Sequence, residues 1–167
     1  MKILHPSLLT KEKFNDARSK NHYWGKRWPF YEKTISNVNE LSFTNSLELG
    51  SGELQVVEGS DTMDLPDEYY KCGIAKGLTF EHDAKITPWP ITDKAYDLFI
   101  SLQVWEHLGG KQKEAFQEVA RVSKMAYFSF PYLWTRRGTG MHKLVNFAKI
   151  LDWSYPFEPV YMKVYSN

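Results

Sequence analysis

Cysteine is almost absent: Cys72 stands alone among 167 residues. A single cysteine excludes an intrachain disulfide framework and argues against a cysteine-based zinc site. It suits a reducing compartment, and the cytoplasm is the expected location. Charge of one sign is also lacking. Twenty-one Lys and Arg face twenty Asp and Glu, for a net charge of +1. There is no acidic tail and no broad basic field, so nucleic acid is not expected as a partner. Long hydrophobic runs are missing as well. The longest, "YDLFISLQVW" and "MAYFSFPYLW", are about half of a membrane span, and no membrane association is expected. The N-terminal "MKILHPSLLTKEKF" is broken by His5 and Pro6, too short and too polar for a signal peptide. No internal repeat or low-complexity segment interrupts the chain.

What remains is an ordinary globular composition, 43% apolar and 25% charged, with many aromatics at 16%. The length suits one domain with its own core. The first 44 residues read as a helical N-terminal cap. Thr10 is placed to cap a helix running to about Lys20. Pro29 suits the first turn of a second helix, where its missing N–H costs nothing. Tyr31, Ile35 and Val38 then give that helix one apolar face.

From residue 45 the pattern changes to short strands alternating with helices. "SLEL" is a strand ending at Gly50, and "VEGSDTMDL" and "GLTFEHDA" are weaker strand candidates. "YDLFISLQV" is nearly continuous in apolar residues, as a central parallel strand covered on both faces should be. A helix is predicted over 111–123, a buried strand at "MAYFSFP", a helix around 142–151 and a last strand at "PVYMKVYS". This alternation predicts an α/β fold: a Rossmann-like, mostly parallel twisted sheet with helices on both faces. Such sheets bind ligands beyond the carboxyl ends of their strands, at the switch point. The positions to inspect are therefore Gly50 to Glu53, Asp64, Asp83 to Lys85 and Gln103 to His107.

The loop "LELGSG" at 47–52 opens like a nucleotide-binding turn but departs from one. Gly50 and Gly52 permit a sharp turn and a close ligand approach. No third glycine and no clear helix start follow, and Glu48 adds a carboxylate. A pyrophosphate wants amide N–H groups and a helix N-terminus. A cationic ligand without phosphate is better served. A carboxylate after the second strand, Asp64 or Asp61, can accept hydrogen bonds from ribose hydroxyls. Asp83, after the third, can accept one from an amino group such as adenine N6.

The segment "ITPWPITDKAYDLFISLQVWEHL", residues 86–108, places a proline-rich turn, Asp93 and Tyr96-Asp97 before an apolar strand that ends in Glu106-His107-Leu108. With "LELGSG", Asp64, Asp83 and "EVARVSKMAYFSFPY", it resembles the class I S-adenosylmethionine-dependent methyltransferases. Within these it is most similar to the small type 11 group, which includes sugar and small-molecule methyltransferases. The resemblance covers roughly residues 45–132, the expected cofactor-binding core. It leaves 133–167 as an acceptor-side segment.

That resemblance implies S-adenosylmethionine as cofactor. Glu48, Gly50, Ser51 and Gly52 would hold its amino-acid end, and Asp64 its ribose. Asp83 and Ala84 would meet the adenine, and Gln103 would line the pocket near the sulfonium. Tyr23 or Trp24, in "HYWGKRW", would offer a cation–π face. If the acceptor is a hydroxyl, a histidine base fits near neutral pH. His107, after the fourth strand, and His142, in "GTGMHKL", are the candidates. Arg136 and Arg137 would clamp an anionic acceptor. The expected substrate is a small polar metabolite, methylated on an oxygen of a sugar-like or anionic molecule.

Two departures from the family accompany the likeness. The usual helix between the glycine loop and the second strand is reduced to a turn. No seventh strand is apparent, which leaves an open edge on the fifth, an edge covered by a partner, or a truncated protein; an open edge would invite a second copy of the chain. These omissions motivate a competing expectation, a non-catalytic methyltransferase-like binding or regulatory module. A nicotinamide-dependent oxidoreductase is disfavoured by the missing third glycine.

Overall fold

The computed structural model describes residues 6–65, 78–133 and 145–165. Two helices lead the chain, α1 (Lys11–Lys20) and α2 (Trp28–Asn39). Thr10 caps α1 as its sequence position predicts, its hydroxyl accepting the Lys13 amide at 3.3 Å. Pro29 lies in the first turn of α2, and Tyr31, Thr34 and Val38 form its buried face, with Ile35 packed beside them. A 3-10 turn, His22–Trp24, joins the helices.

Five parallel strands follow: β1 (Ser46–Leu49), β2 (Asp61–Asp64), β3 (Phe80–Glu81), β4 (Tyr96–Leu102) and β5 (Ser123–Ser129). Their order in the sheet is β3-β2-β1-β4-β5. The helix α3 (Gln112–Val122) makes the crossover from β4 to β5, and α4 (Phe147–Ser154) packs beside α3. The third strand is only two residues long, shorter than "GLTFEHDA" suggests. The helix expected near 142–151 begins at Phe147, and residues 142–144 lie outside the described ones.

Alternation along β4 divides the core. Phe99 packs with Leu47, Leu49 and Met63 against Ala115, Phe116, Val119 and Val122 of α3. Leu98 and Ile100 point the other way, into a cluster with Phe14, Trp24, Tyr31 and Val38 of the N-terminal helices. Helices thus cover both faces, as expected. Leu54, Val56 and Val57 join the second cluster, from the stretch between β1 and β2, where no helix forms. The N-terminal helices therefore cover the face on which the shortened connection lies. An antiparallel bridge between Leu8 and Val57 stitches the two together, with Leu9 N donating to Val56 O at 2.9 Å and Glu58 N to Ser7 O at 2.8 Å.

The residues most specific to the 86–108 pattern hold the scaffold. Asp97 accepts the Thr44 amide (2.8 Å) and hydroxyl and the Lys124 ammonium (2.7 Å), pinning the entry to β1 onto β4 and β5. These donors hold its carboxyl below the usual carboxylate range. Arg121 of α3 clamps the proline-rich turn, donating to Ile91 O, Trp89 O and the Asp93 carboxylate.

One strand expectation fails. Residues 159–165 form no strand and lie exposed. Their alternating pattern is strand-like, but a strand needs a neighbour to hydrogen-bond with, and the segment takes none among the described residues. Among the described residues β5 pairs with β4 alone, over Tyr96 to Leu102, so its other edge is open. No helix among them is long and apolar enough to cross a membrane.

Candidate functional site

The strand order reverses between β1 and β4, and there the carboxyl ends of β1, β2 and β4 surround a small cavity. It encloses about 80 Å³. Gly50, Ser51, Gly52, Asp64 and Gln103 line it from the strand ends, as the sequence predicts. Tyr23, Trp24, Arg27, Phe30 and Tyr31 line it from the N-terminal cap.

The loop after β1 is shaped by two constraints. Gly50 and Gly52 have φ of +69° and +59°, the region that favours glycine. A Cβ on Gly50 would also lie 2.5 Å from Cγ2 of Val104, so the residue after Gln103 packs directly against the glycine backbone. Gln103 itself is left-handed, with φ of +58°. Strain of this kind, costing on the order of 1–3 kcal/mol, concentrates at ligand sites. It is held by the Gln103 amide donating to Ser129 O at 3.1 Å.

Glu48 is fully buried beneath the loop. Its Oε1 accepts the Val57 amide at 2.7 Å and its Oε2 the Val56 amide at 2.9 Å. Burial pushes its pKa up to about 7, against the lowering effect of these amides and of Ser60. The carboxylate expected at the cofactor's amino-acid end thus also organises the turn that stands in place of a helix. Each carboxylate oxygen has a further lone pair, so this role does not consume its accepting capacity. Burial and the nearby Glu48 likewise push the Tyr31 hydroxyl upward.

Asp64 and Asp61 lie at opposite ends of β2. Asp64 is buried at the carboxyl end of β2 and lines the cavity, its Oδ1 accepting the Leu65 amide at 2.8 Å. Asp61, at the other end of the same strand, is bound by the Tyr96 hydroxyl at 2.6 Å and the Thr79 hydroxyl at 3.1 Å.

Other predicted residues are not gathered here. Asp83 accepts the Lys85 amide at 2.9 Å as a turn cap, and the buried Ala84 gives its carbonyl to Trp89 Nε1 at 3.1 Å. Neither lines the cavity. His107 closes a 3-10 turn, Trp105–His107, with its Nε2 3.9 Å from Oε1 of the buried Glu106, whose pKa burial raises to about 7. It too is outside the lining. His142, Arg136 and Arg137 lie outside the described residues.

The cap contributes what sequence reasoning passed over. Arg27 places its guanidinium 4.1 Å from the centroid of the Tyr23 ring, and its Nε donates to Tyr23 O at 3.0 Å. One face of the Tyr23 ring, which the sequence offers to a sulfonium, thus carries a cation of the protein. Phe30 and Tyr31 complete the wall. The available signal was a cation interleaved with aromatics in "HYWGKRW". Two polar atoms of lining residues, Trp24 Nε1 and Ser51 Oγ, are buried and have no hydrogen-bond partner among the described residues. Buried polar groups are normally satisfied, so both suit a ligand that brings acceptors.

No protein-family model matches the sequence, and no curated protein matches it. Solved structures do. The chain is similar to a putative methyltransferase solved in complex with the Haloferax volcanii Trm112 methyltransferase activator. The TM-score is 0.54 at 15% identity, covering 89% of this chain and 76% of that one. It also aligns with a SAM-dependent methyltransferase from Aquifex aeolicus (TM-score 0.49, 13% identity, 87% and 86% covered). A third is the plantazolicin methyltransferase BpumL in complex with a pentazolic desmethylPZN analog and SAH (0.48, 12%, 86% and 68%). The five parallel strands in the order 3-2-1-4-5, with this likeness, show that the chain has the class I S-adenosylmethionine-dependent methyltransferase fold in a shortened form.

Proposed function

We propose that the chain is an S-adenosylmethionine-dependent methyltransferase whose cofactor binds at the β1–β4 switch point under the N-terminal cap. The observation that carries this reading is the convergence of Gly50–Gly52, Asp64 and Gln103 on one cavity that the cap closes. The residues fit the cofactor's chemistry. Asp64 offers a buried carboxylate to ribose hydroxyls. The glycine loop leaves room for the amino-acid end, Glu48 supplies negative charge to its ammonium, and Arg27 with Trp24 Nε1 supplies donors to its carboxylate. Asp83 and Ala84 would take the adenine at the neighbouring strand end.

When bound, S-adenosylmethionine supplies an activated methyl group on a cationic sulfur. The protein's task is to position and desolvate the reacting pair. Gln103, locked in its left-handed conformation, fixes the carboxyl end of β4 beside the reacting centre. His107 or His142 takes the proton of an acceptor hydroxyl, and residues 133–167 supply the acceptor side. The near-neutral chain and the absence of a basic stripe favour a small polar metabolite, with a sugar-like or anionic oxygen acceptor as the specific reading. The activator complex of the Haloferax relative makes a partner protein a further component to test in turnover assays.

A cavity of about 80 Å³ is well below the roughly 300–1,000 Å³ usual for ligand sites. The cap must therefore withdraw for the cofactor to enter. The same closure favours the second reading, a methyltransferase-like module that binds a partner and no cofactor. Calorimetric titration with S-adenosylmethionine separates them: saturable one-to-one binding supports the enzyme, and no heat at any concentration supports the module. Turnover of His107→Ala and His142→Ala tests the base. A loss beyond about tenfold in one of them is expected, in the range of general acid–base contributions, and losses of no more than a fewfold in both would remove the histidine from the mechanism.

A further inference from the structure

The outer edge of β5 and the segment 159–165 are two unpaired halves of one strand interaction. β5 pairs with β4 on one side only among the described residues. Among the described residues it lacks the proline, free charge or bulge that usually blunts an edge strand. It contains no proline, and its one charge, Lys124, is held by Asp97. Met125, Tyr127 and Phe128 remain only partly buried. The segment 159–165 has the complementary problem. Val160, Met162 and Val164 alternate with Tyr161, Lys163 and Tyr165, a composition that fits a pleated, half-buried surface. Yet it joins no strand, and Val160 and Tyr161 are 104% and 70% exposed.

One residue of α2 reaches both halves. Asn37 of α2 donates through Nδ2 to the Tyr127 hydroxyl of β5 at 3.1 Å and to the Tyr165 hydroxyl at 3.0 Å. Tyr165, at the end of the segment, and Tyr127 of β5 thus share one partner on the α2 side of the sheet, while among the described residues no backbone hydrogen bond joins the segment to β5.

We propose that two copies of the chain associate by exchange: residues 159–165 of each add as a strand to the β5 edge of the other. The occupant is a second copy because every chain carries both the donor segment and the receiving edge. A two-fold pair satisfies both at once and closes, leaving no unpaired β5 edge to propagate. Main-chain hydrogen bonds supply the affinity, and the apolar positions of the segment cover the half-buried face of β5.

Light scattering of the full chain, with disulfide trapping, tests this. In a Cys72→Ser background, Ala126→Cys on β5 is combined in turn with Tyr161→Cys, Met162→Cys and Lys163→Cys, all exposed positions. A concentration-dependent mass of two chains is expected, with a disulfide-linked dimer on a non-reducing gel for at least one pair. Deleting 159–167 is expected to return the chain to monomer. A monomer at all concentrations overturns the proposal. So does an intrachain disulfide, which would make the segment a sixth strand of its own sheet, or a dimer that survives the deletion. Should the deletion impair folding, the trapping experiment still decides.

Discussion

The Glu48 carboxylate, buried beneath the glycine loop, accepts the Val57 amide at 2.7 Å and the Val56 amide at 2.9 Å. This pair of bonds ties the end of β1 to the turn that replaces a helix, and the same turn is bridged to the N-terminal segment at Leu8. Loop, cap and cavity are therefore one mechanical unit, with an acid at its centre.

That acid gives the fold a pH signature. Burial raises the Glu48 pKa from 4.5 to about 7, so folding favours its protonated form. Its contribution to stability is fully present below about pH 4.5 and is lost as pH rises through about 7. Glu48→Gln removes this dependence. The stability difference between wild type and variant is expected to shift against wild type by on the order of 2–3 kcal/mol between about pH 4.5 and 8, read from urea unfolding at each pH. A difference constant over that range would show that Glu48 does not titrate there.

Gly50 is constrained twice, by φ of +69° and by Val104, whose Cγ2 would lie 2.5 Å from any Cβ added there. Gly50→Ala is expected to cost about 2–4 kcal/mol, from left-handed strain of about 1 kcal/mol and overpacking of about 1–3 kcal/mol. Adding Val104→Ala relieves the second part only, so the double variant should cost less than the two single changes summed. Additive costs in thermal or urea unfolding would remove the contact from the account.

Arg27 is expected to matter for ligand rather than fold. It is half-buried, and its guanidinium lies over Tyr23 within the cavity wall. Arg27→Ala should weaken S-adenosylmethionine binding about tenfold or more, as loss of a charge-assisted contact does, with unfolding shifted by less than about 1 kcal/mol. Decarboxylated S-adenosylmethionine should show little difference between wild type and variant. An equal loss for both ligands would place Arg27 elsewhere than at the carboxylate.

Much of this was legible in the sequence because it depends on local chemistry. Thr10 before α1, Pro29 at the start of α2 and the apolar run of β4 each encode an element directly. Asp64 was legible as a strand-end acid, but only strand direction separates it from Asp61, since the two lie at opposite ends of β2. The destination of Glu48 was hidden: a strand-end carboxylate is readable, whereas the amides it accepts come from a turn whose path is set by tertiary packing. Arg27 was hidden because a basic residue among aromatics resembles solvated surface until the cap folds over the loop. Residues 159–165 show the limit from the other side. Their alternation is genuine, but a strand is defined by its neighbour, and among the described residues the segment pairs with none.

The most direct test of the cofactor site is isothermal titration of the chain with S-adenosylmethionine, in parallel with Asp64→Ala. Asp64 lies buried in the wall of the cavity, where the ribose is proposed to bind. Saturable binding with one site per chain is expected for the wild type, weakened about tenfold to a hundredfold by the substitution, with the variant's circular dichroism unchanged. No binding by the wild type, or equal affinity in a folded Asp64→Ala chain, would contradict the assignment of this cavity.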